Sequence, residues 1–185
     1  MNTFPSGTDS FDHQPHSGTF WIAILDAYLA GKNFLPPYMG LDPKTFAQIC
    51  THFNITVPEH FQHNTEKRQV ISDLAGLRLS EQQDLINLLN HHLHNNERFS
   101  ENMSSVLSAA CMGTQHLWKD LGMPERPLLT QLFDCFYPGL STMNKRNMRW
   151  KRFLYRQLCA SGGDYVCRAP SCETCTSFNE CFTLE

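Results

Sequence analysis

Apolar residues recur at intervals of three and four along most of the chain, and no stretch shows sustained alternation with period two. Intervals of three and four place side chains on one face of an α-helix, whereas a half-buried strand needs period two. In one such segment Trp21, Tyr28 and Leu29 share a face, and Gly31 is well placed to end the helix. The sequence therefore predicts an all-α fold, a compact helical domain with an irregular cysteine-rich loop after its last helix.

Start and stop signals divide the pattern into helices. Asp42 can cap a helix whose first residue is Pro43, and Ser80 with Gln83 has the spacing of a capping box before a leucine-rich helix. Pro138 is expected to stop another helix. The last predicted helix spans residues 147–163 and buries Trp150, Phe153, Leu154 and Leu158.

A chain of 185 residues fits one ordinary domain. Residues 1–18 are rich in Gly, Pro, Ser and His and are predicted to be a flexible tail, and residues 19–185 form the single helical domain. Residues 1–18 contain no Lys or Arg and no apolar run, so they do not resemble a secretory signal. No apolar stretch reaches the length of a membrane span, so we expect a cytoplasmic protein without a membrane partner.

Four of the eight cysteines lie between residues 167 and 181. Cys167, Cys172, Cys175 and Cys181 have the spacing C-x4-C-x2-C-x5-C, and two thiolates separated by two residues can bind one metal centre. Cytoplasmic thiols stay reduced, which favours metal ligation over disulfides. An iron–sulfur cluster fits this spacing better than structural zinc, which usually takes two close pairs; zinc, disulfides and unligated thiols remain alternatives.

The segment before these cysteines is basic. Residues 135–163 contain no Asp or Glu but six of the fifteen Lys and Arg residues. Arg149, Arg152 and Arg156, together with Lys145, follow a spacing of 4, 3 and 4 that predicts one helical face. This face is either a solvated surface or a site that attracts an oxyanion or an anionic metal–sulfur cluster. A pI of about 6.3 argues against a nucleic-acid partner.

Several residues outside the cysteine segment are weaker candidates. His116 is the best additional metal ligand, although a structural role is favoured for it. Cys111 and Cys159 could also ligate, but a packing role is favoured for both thiols. A histidine cluster is expected at a helix end, and it comprises His91, His92 and His94. Two further cysteines are expected in the core, namely Cys50 and Cys135.

Motifs of common enzyme classes are absent: there is no P-loop, no dinucleotide-binding glycine motif and no nucleophile with a base at motif spacing. An enzyme is therefore disfavoured. The competing hypotheses are a zinc-stabilised helical adaptor, which binds a protein or nucleic acid through its basic helix, and a redox protein that uses Cys172 and Cys175.

Three runs of sequence carry a family resemblance. They are ACMGTQHLWKDLGMPERPLL, FYPGLSTMNKRNMRWKRFLYRQLC and VCRAPSCETCTSFNECF, and a looser match is FLPPYMGLDPKTFAQI. With these runs the chain closely resembles the NifQ family, proteins of nitrogen-fixing bacteria that supply molybdenum for the nitrogenase iron–molybdenum cofactor.

The resemblance implies a carrier rather than an enzyme. It implies an iron–sulfur cluster that takes up molybdenum as a molybdenum–iron–sulfur species. The metal would come from molybdate or a molybdenum-storage protein and would pass to the cofactor-assembly scaffold with the help of the nitrogenase reductase. The predicted cluster ligands are Cys167, Cys172, Cys175 and Cys181, with His116 as the outside ligand and Arg149, Arg152 and Arg156 as the oxyanion-attracting residues.

Overall fold

The computed structural model describes residues 16–94 and 98–162. Those residues form nine α-helices and a short 3₁₀ turn, Pro37–Gly40, and they contain no β-strand. The helices are α1 Ser17–Leu29, α2 Pro43–His52, α3 Glu66–Gly76, α4 Leu79–His91, α5 Ser100–Cys111, α6 Leu117–Asp120, α7 Arg126–Phe136, α8 Pro138–Met143 and α9 Trp150–Gly162. The predicted all-α class is confirmed for this part of the chain, whereas the predicted cysteine-rich loop, residues 163–185, lies outside it.

Helix α5 occupies the centre of the fold. Nearly every residue from Met103 to its end at Cys111 is buried, and small residues such as Ser104, Ser108 and Ala110 let neighbouring helices approach closely. Helix α4 packs along α5, and α9 packs against α4 in turn. Consequently α9 rests on a layer of helices rather than projecting from the molecule.

Aromatic packing fixes the start of α9. The ring of Trp150 stacks on Phe133 of α7 with 3.7 Å between ring centroids and 4° between planes. The Trp150 indole also donates a hydrogen bond to Thr130 at 3.4 Å. The four predicted core residues of this helix are all buried: Trp150, Phe153, Leu154 and Leu158.

Two of the predicted helix signals are confirmed and one is wrong. The Asp42 side chain accepts a hydrogen bond from Thr45 N at 3.0 Å, and Gly31 adopts φ +68° just after α1. The predicted capping box fails because α4 begins at Leu79, which places Ser80 inside the helix. Arg78 takes the cap position and its guanidinium bonds to Glu81 in the first turn of α4, so the serine is not needed there.

The chain differs from its predicted course around α8 and α9. Pro138 does end α7, but it also begins α8 as its first residue. The last helix starts at Trp150 rather than at residue 147, since the Asn144 side chain bonds to both N and O of Met148 and closes a turn there. Lys145 lies in this turn and therefore does not belong to the basic face of α9.

One core cluster draws residues from α1 through α9. Helix α1 begins at Ser17, slightly before the boundary predicted for the domain, and residues 1–15 of the predicted tail lie outside the described part. No helix within the described ranges has both the length and the apolar character needed to span a bilayer.

Candidate functional site

The four predicted cluster cysteines, Cys167, Cys172, Cys175 and Cys181, lie outside the described residues. Helix α9 leads directly into their segment, so the described part of the candidate site consists of α9 and the elements packed on it. Those elements are α4, α6 and the connection 112–116.

Of the three candidate arginines, two lie in α9 and one lies just before it. Arg149 precedes the helix, and its carbonyl accepts the Phe153 N–H at 2.9 Å. Arg152 is half-buried and Arg156 is exposed one turn later. Arg149 and Arg152 have interaction partners of their own, so neither is an isolated cation. A role in attracting an oxyanion stays a prediction for all three.

Lys151 belongs to the same basic stretch but faces the protein interior. Its ammonium group donates to the Gly113 carbonyl at 2.9 Å and forms an ion pair with Asp120, whose side chain is fully buried. The Asp120 Oδ2 atom also accepts a hydrogen bond from Gln115 N at 3.1 Å. Lys151 therefore joins α9 to α6 and to the connection that precedes α6.

Asp120 has an unusual environment for a carboxylate. Burial raises its pKa, and the neighbouring Lys151 ammonium opposes that rise. Its second oxygen, Oδ1, has no hydrogen-bond partner within the described part of the chain. A Cβ atom at Gly113 would lie 2.6 to 2.8 Å from the carboxyl atoms of Asp120, so a side chain at Gly113 cannot fit without displacing the carboxylate.

His116 sits at the N-terminal end of α6. Its backbone carbonyl accepts hydrogen bonds from Lys119 N and Asp120 N at 2.9 and 3.0 Å, and its side chain is half-buried. The backbone of this residue is thus positioned by the same short helix that supplies Asp120. Ligation of a metal by His116 stays a prediction.

A second buried network joins α9 to α4. The Arg78 guanidinium pairs with Glu81, and its Nη2 also donates to the Tyr155 hydroxyl at 2.9 Å. The Tyr155 hydroxyl donates to Glu81 in turn. Burial is the main cause of a raised pKa at Tyr155, and the nearby Cys111 and the hydrogen bond to Glu81 raise this pKa further. Because Arg78 Nη1 also reaches the Met112 carbonyl at 3.4 Å, the network fixes the end of α5 as well.

Cys111 lies between the two networks at the end of α5. Its thiol is 2% exposed, and burial raises its pKa to about 12 although Lys151 opposes the rise. Such a thiol stays protonated and neutral near neutral pH, which is typical of a packing residue.

The other three described cysteines occupy separate helices. Cys50 is buried in α2 with a pKa raised to about 11 by burial, as a core residue should be. Cys135 in α7 and Cys159 in α9 are half-buried and have contacts with other residues.

No group of three or more His, Cys, Asp or Glu side chains within residues 16–94 and 98–162 could hold a metal ion. His91 and His92 end α4 with their rings 5.1 Å apart, and burial, followed by the His91 charge, lowers the pKa of His92.

The two buried acids, Glu81 and Asp120, have sequence patterns that could have predicted them. Leu117, Asp120 and Leu121 have the spacing of one apolar helix face, so an acid stood where a core residue was expected. Arg78 and Glu81 likewise have the three-residue spacing of a helical ion pair. Both patterns are visible in the sequence, but the burial of Asp120 and Glu81 depends on α9.

Comparisons with known proteins agree on one family. The family model described as NifQ matches residues 20–183. The chain is 38% identical to Protein NifQ of Azotobacter vinelandii, over 89% of this chain and 88% of that protein. It is 31% identical to Protein NifQ of Klebsiella pneumoniae, over 84% of this chain and 92% of that protein. No solved structure matches.

Proposed function

The chain belongs to the NifQ family, and from this premise we propose that it serves nitrogen fixation as a molybdenum carrier. In this proposal the protein takes up molybdenum on an iron–sulfur cluster, as a molybdenum–iron–sulfur species, and donates it for assembly of the nitrogenase iron–molybdenum cofactor. It acts as a carrier in the cytoplasm and catalyses no reaction of its own.

The observation that carries the proposal is the extent of the family match. The match ends at residue 183, so it includes Cys167, Cys172, Cys175 and Cys181. Four thiolates on a short stretch of chain suit an iron–sulfur cluster, whose ligands are soft sulfur donors. We assign these four residues as the cluster ligands and molybdenum as the cargo that the cluster receives.

The anchoring of α9 supports a second element of the proposal. Lys151 and Tyr155 bind α9 to α6 and α4 through two buried networks, so the cysteine segment follows a helix with a fixed position. Arg149, Arg152 and Arg156 lie at the start and along the length of that helix. Their charge would raise the local concentration of an oxyanion such as molybdate, and His116 would complete the ligand set of the bound metal.

The source and destination of the metal complete the proposal. Molybdate, or a molybdenum-storage protein, would supply the metal. The cofactor-assembly scaffold would receive it with the help of the nitrogenase reductase. Neither nucleic acid nor membrane takes part in this route.

Anaerobic purification followed by metal analysis tests the proposal. We expect several iron atoms and molybdenum per chain, brown colour and an EPR signal after reduction. The Cys172→Ala variant is expected to lose iron and colour. Cys50→Ala is the matched control, since Cys50 is a buried thiol of α2 and its loss should reduce stability while iron is retained.

Two results would contradict the assignment. A colourless protein with one tightly held zinc would replace the carrier hypothesis with a zinc-stabilised adaptor. Full iron content in the Cys172→Ala variant would instead place the cluster on other ligands.

A further inference from the structure

Four exposed apolar side chains lie close together in the sequence, on α3 and at the start of α4. They are between 52% and 83% exposed, and they are Val70, Leu74, Leu77 and Leu79. Leu77 caps α3 with helical backbone angles, φ −73° and ψ −12°. The spacing of four and three residues therefore places Val70, Leu74 and Leu77 within an arc of about 60° around the helix. Together with Leu79, the first residue of α4, they form the α3 apolar face.

This face is distinct from the one with which α3 packs on the domain. The buried residues of α3 are Arg68, Ile71 and Ala75. A surface helix normally presents polar residues to solvent, and single exposed apolar residues need no explanation. A stripe of such residues marks a surface that another segment or molecule covers. Helix α3 therefore has the pattern of a helix that is packed on two sides.

Helix α9 contacts the molecule beside this face. The Tyr155 hydroxyl accepts a hydrogen bond from Arg78 Nη2 at 2.9 Å, and Arg78 stands between Leu77 and Leu79 in the sequence. Gly162 ends α9 about 10 Å further along the helix axis than Tyr155. Leu77 and Leu79 therefore lie within about 30 Å of the end of α9, with the Tyr155 and Arg78 side chains included.

Residues 163–185 follow directly from the end of α9 and have the length to cover this face. At about 3.3 Å per residue the segment can extend roughly 70 Å, which is more than twice the distance to Leu77. Apolar side chains stand on both sides of its cysteines. Tyr165 and Val166 precede Cys167, and Phe178 and Phe182 flank Cys181. Aliphatic and aromatic side chains gain most from burial, so this segment suits an apolar surface.

A second copy of the chain suits the face less well. A stable dimer interface buries about 800 Å² on each partner, and four side chains that are already partly covered present less area than that. A tethered segment needs less area, because its effective concentration at the face is of millimolar order. The small size of the α3 apolar face thus favours a segment of the same chain.

From these observations we propose that the α3 apolar face is the docking surface of the cysteine segment, residues 163–185. The segment packs on it through Tyr165, Val166, Phe178 and Phe182, so the cysteines between them are held beside α3 and the start of α4. This docking goes beyond the proposed function and does not depend on which metal the cysteines bind.

Photocross-linking of the full-length protein tests the docking directly. Benzoylphenylalanine takes the place of Leu77, which is 83% exposed, and peptide mass spectrometry identifies what it captures. We expect the main intramolecular cross-link to fall on residues 163–185. Benzoylphenylalanine in place of Met143 is the matched control, because Met143 is half-exposed at the end of α8 and precedes the start of α9. The control should capture the segment at least about fivefold less.

Trypsin cleavage after Arg168 measures the docking by a second route, since residues 163–185 contain no other Lys or Arg. Replacing two residues of the face, Leu74→Glu with Leu77→Glu, removes apolar contact without disturbing buried positions. We expect cleavage at least about fivefold faster, because loss of one half-buried leucine contact changes the undocked fraction by about that factor. Met143→Glu should leave the rate unchanged. Rates are compared between samples of equal metal content, so that loss of metal is not mistaken for undocking.

Each outcome decides for or against the docking. Cross-links to residues 163–185, together with faster cleavage of the double variant, support it. Equal cleavage of the wild type and the double variant overturns it. A wild-type dimer in analytical ultracentrifugation that the double variant dissociates, with cross-links between chains, overturns it in favour of a second copy. Capture of residues 1–15 instead overturns it in favour of the N-terminal segment.

The result is independent of the carrier function. A protein that holds zinc and no iron would refute the carrier proposal, whereas the cross-link would still report whether residues 163–185 lie on the α3 apolar face. Conversely, an iron-loaded protein without this cross-link would refute the docking alone.

Discussion

Replacing Lys151 with methionine should destabilise the protein strongly, although the residue lies in a basic, partly exposed helix. The Asp120 side chain opposite it is fully buried, and the Lys151 side chain is 17% exposed. Methionine retains most of the lysine stem, so the main loss is the ammonium group. The substitution leaves a buried carboxylate that keeps its hydrogen bond from Gln115 N but has lost its counter-charge.

The expected loss of unfolding free energy is about 3 kcal/mol at pH 7. Removing one partner of a buried ion pair costs about 3–5 kcal/mol, and partial exposure of Lys151 favours the lower end. Burial raises the pKa of Asp120 even with the lysine present, and the rise is unopposed in the variant. A raised carboxyl pKa gives stability that is present below the unfolded value, about 3.9, and is lost as pH rises through the folded value. The deficit of the variant should therefore shrink in acid.

Urea unfolding of the metal-free protein, followed by circular dichroism, measures this loss. With a slope of about 2 kcal/mol per M, the midpoint should fall by about 1.5 M. Arg156→Met is the matched control, since Arg156 is exposed on the same helix, and its effect should stay within about 0.5 kcal/mol. Adding Asp120→Asn to Lys151→Met should recover about 2 kcal/mol, because the uncompensated carboxylate at position 120 is then removed.

A loss below about 1 kcal/mol for Lys151→Met would refute the reasoning, as would an equal loss for Arg156→Met. A double variant no more stable than the lysine variant would show that the ion pair is not the source of the effect.

Two further predictions concern glycine packing and acid sensitivity. Gly113→Ala should cost about 2 kcal/mol, because the new Cβ would lie 2.6 Å from the Asp120 carboxyl carbon; Gly76→Ala, whose Cβ meets nothing within 4 Å, should be neutral or stabilising by about 0.5 kcal/mol. Urea unfolding compares the two, and similar effects would contradict the packing argument. Burial, followed by the Arg68 charge, lowers the pKa of His63, so its contribution to stability is present above the ordinary pKa and lost as pH falls through the folded value. His63→Phe should therefore show a smaller drop in melting temperature between pH 7.5 and pH 5.0 than the wild type. An equal drop would show that protonation of His63 does not cause the acid sensitivity.

Helix class and buried stripes were predictable because both depend on residues within a few turns of one another. The Asp42 cap and the Gly31 terminus are local in the same sense, and both were confirmed. The Ser80 capping box failed even though it is local. Arg78 competes for the same helix start, and it is held there by Tyr155, which lies 77 positions away in the sequence.

For the candidate site, the sequence predicts only the types of donor atom. Thiolate spacing and family resemblance predict that the metal ligands are Cys167, Cys172, Cys175 and Cys181. These residues lie outside the described ranges, so their role stays a prediction.

By itself, the sequence determined that the chain forms helices, which faces those helices bury, and where a basic stretch precedes four cysteines. Only the tertiary structure decided that Lys151 serves an internal ion pair while Arg156, five residues later, remains exposed. The physical reason is that packing decides whether a charged side chain forms an internal ion pair or stays exposed to solvent. For Lys151 that partner is Asp120 of α6, which reaches α9 only when the helices assemble.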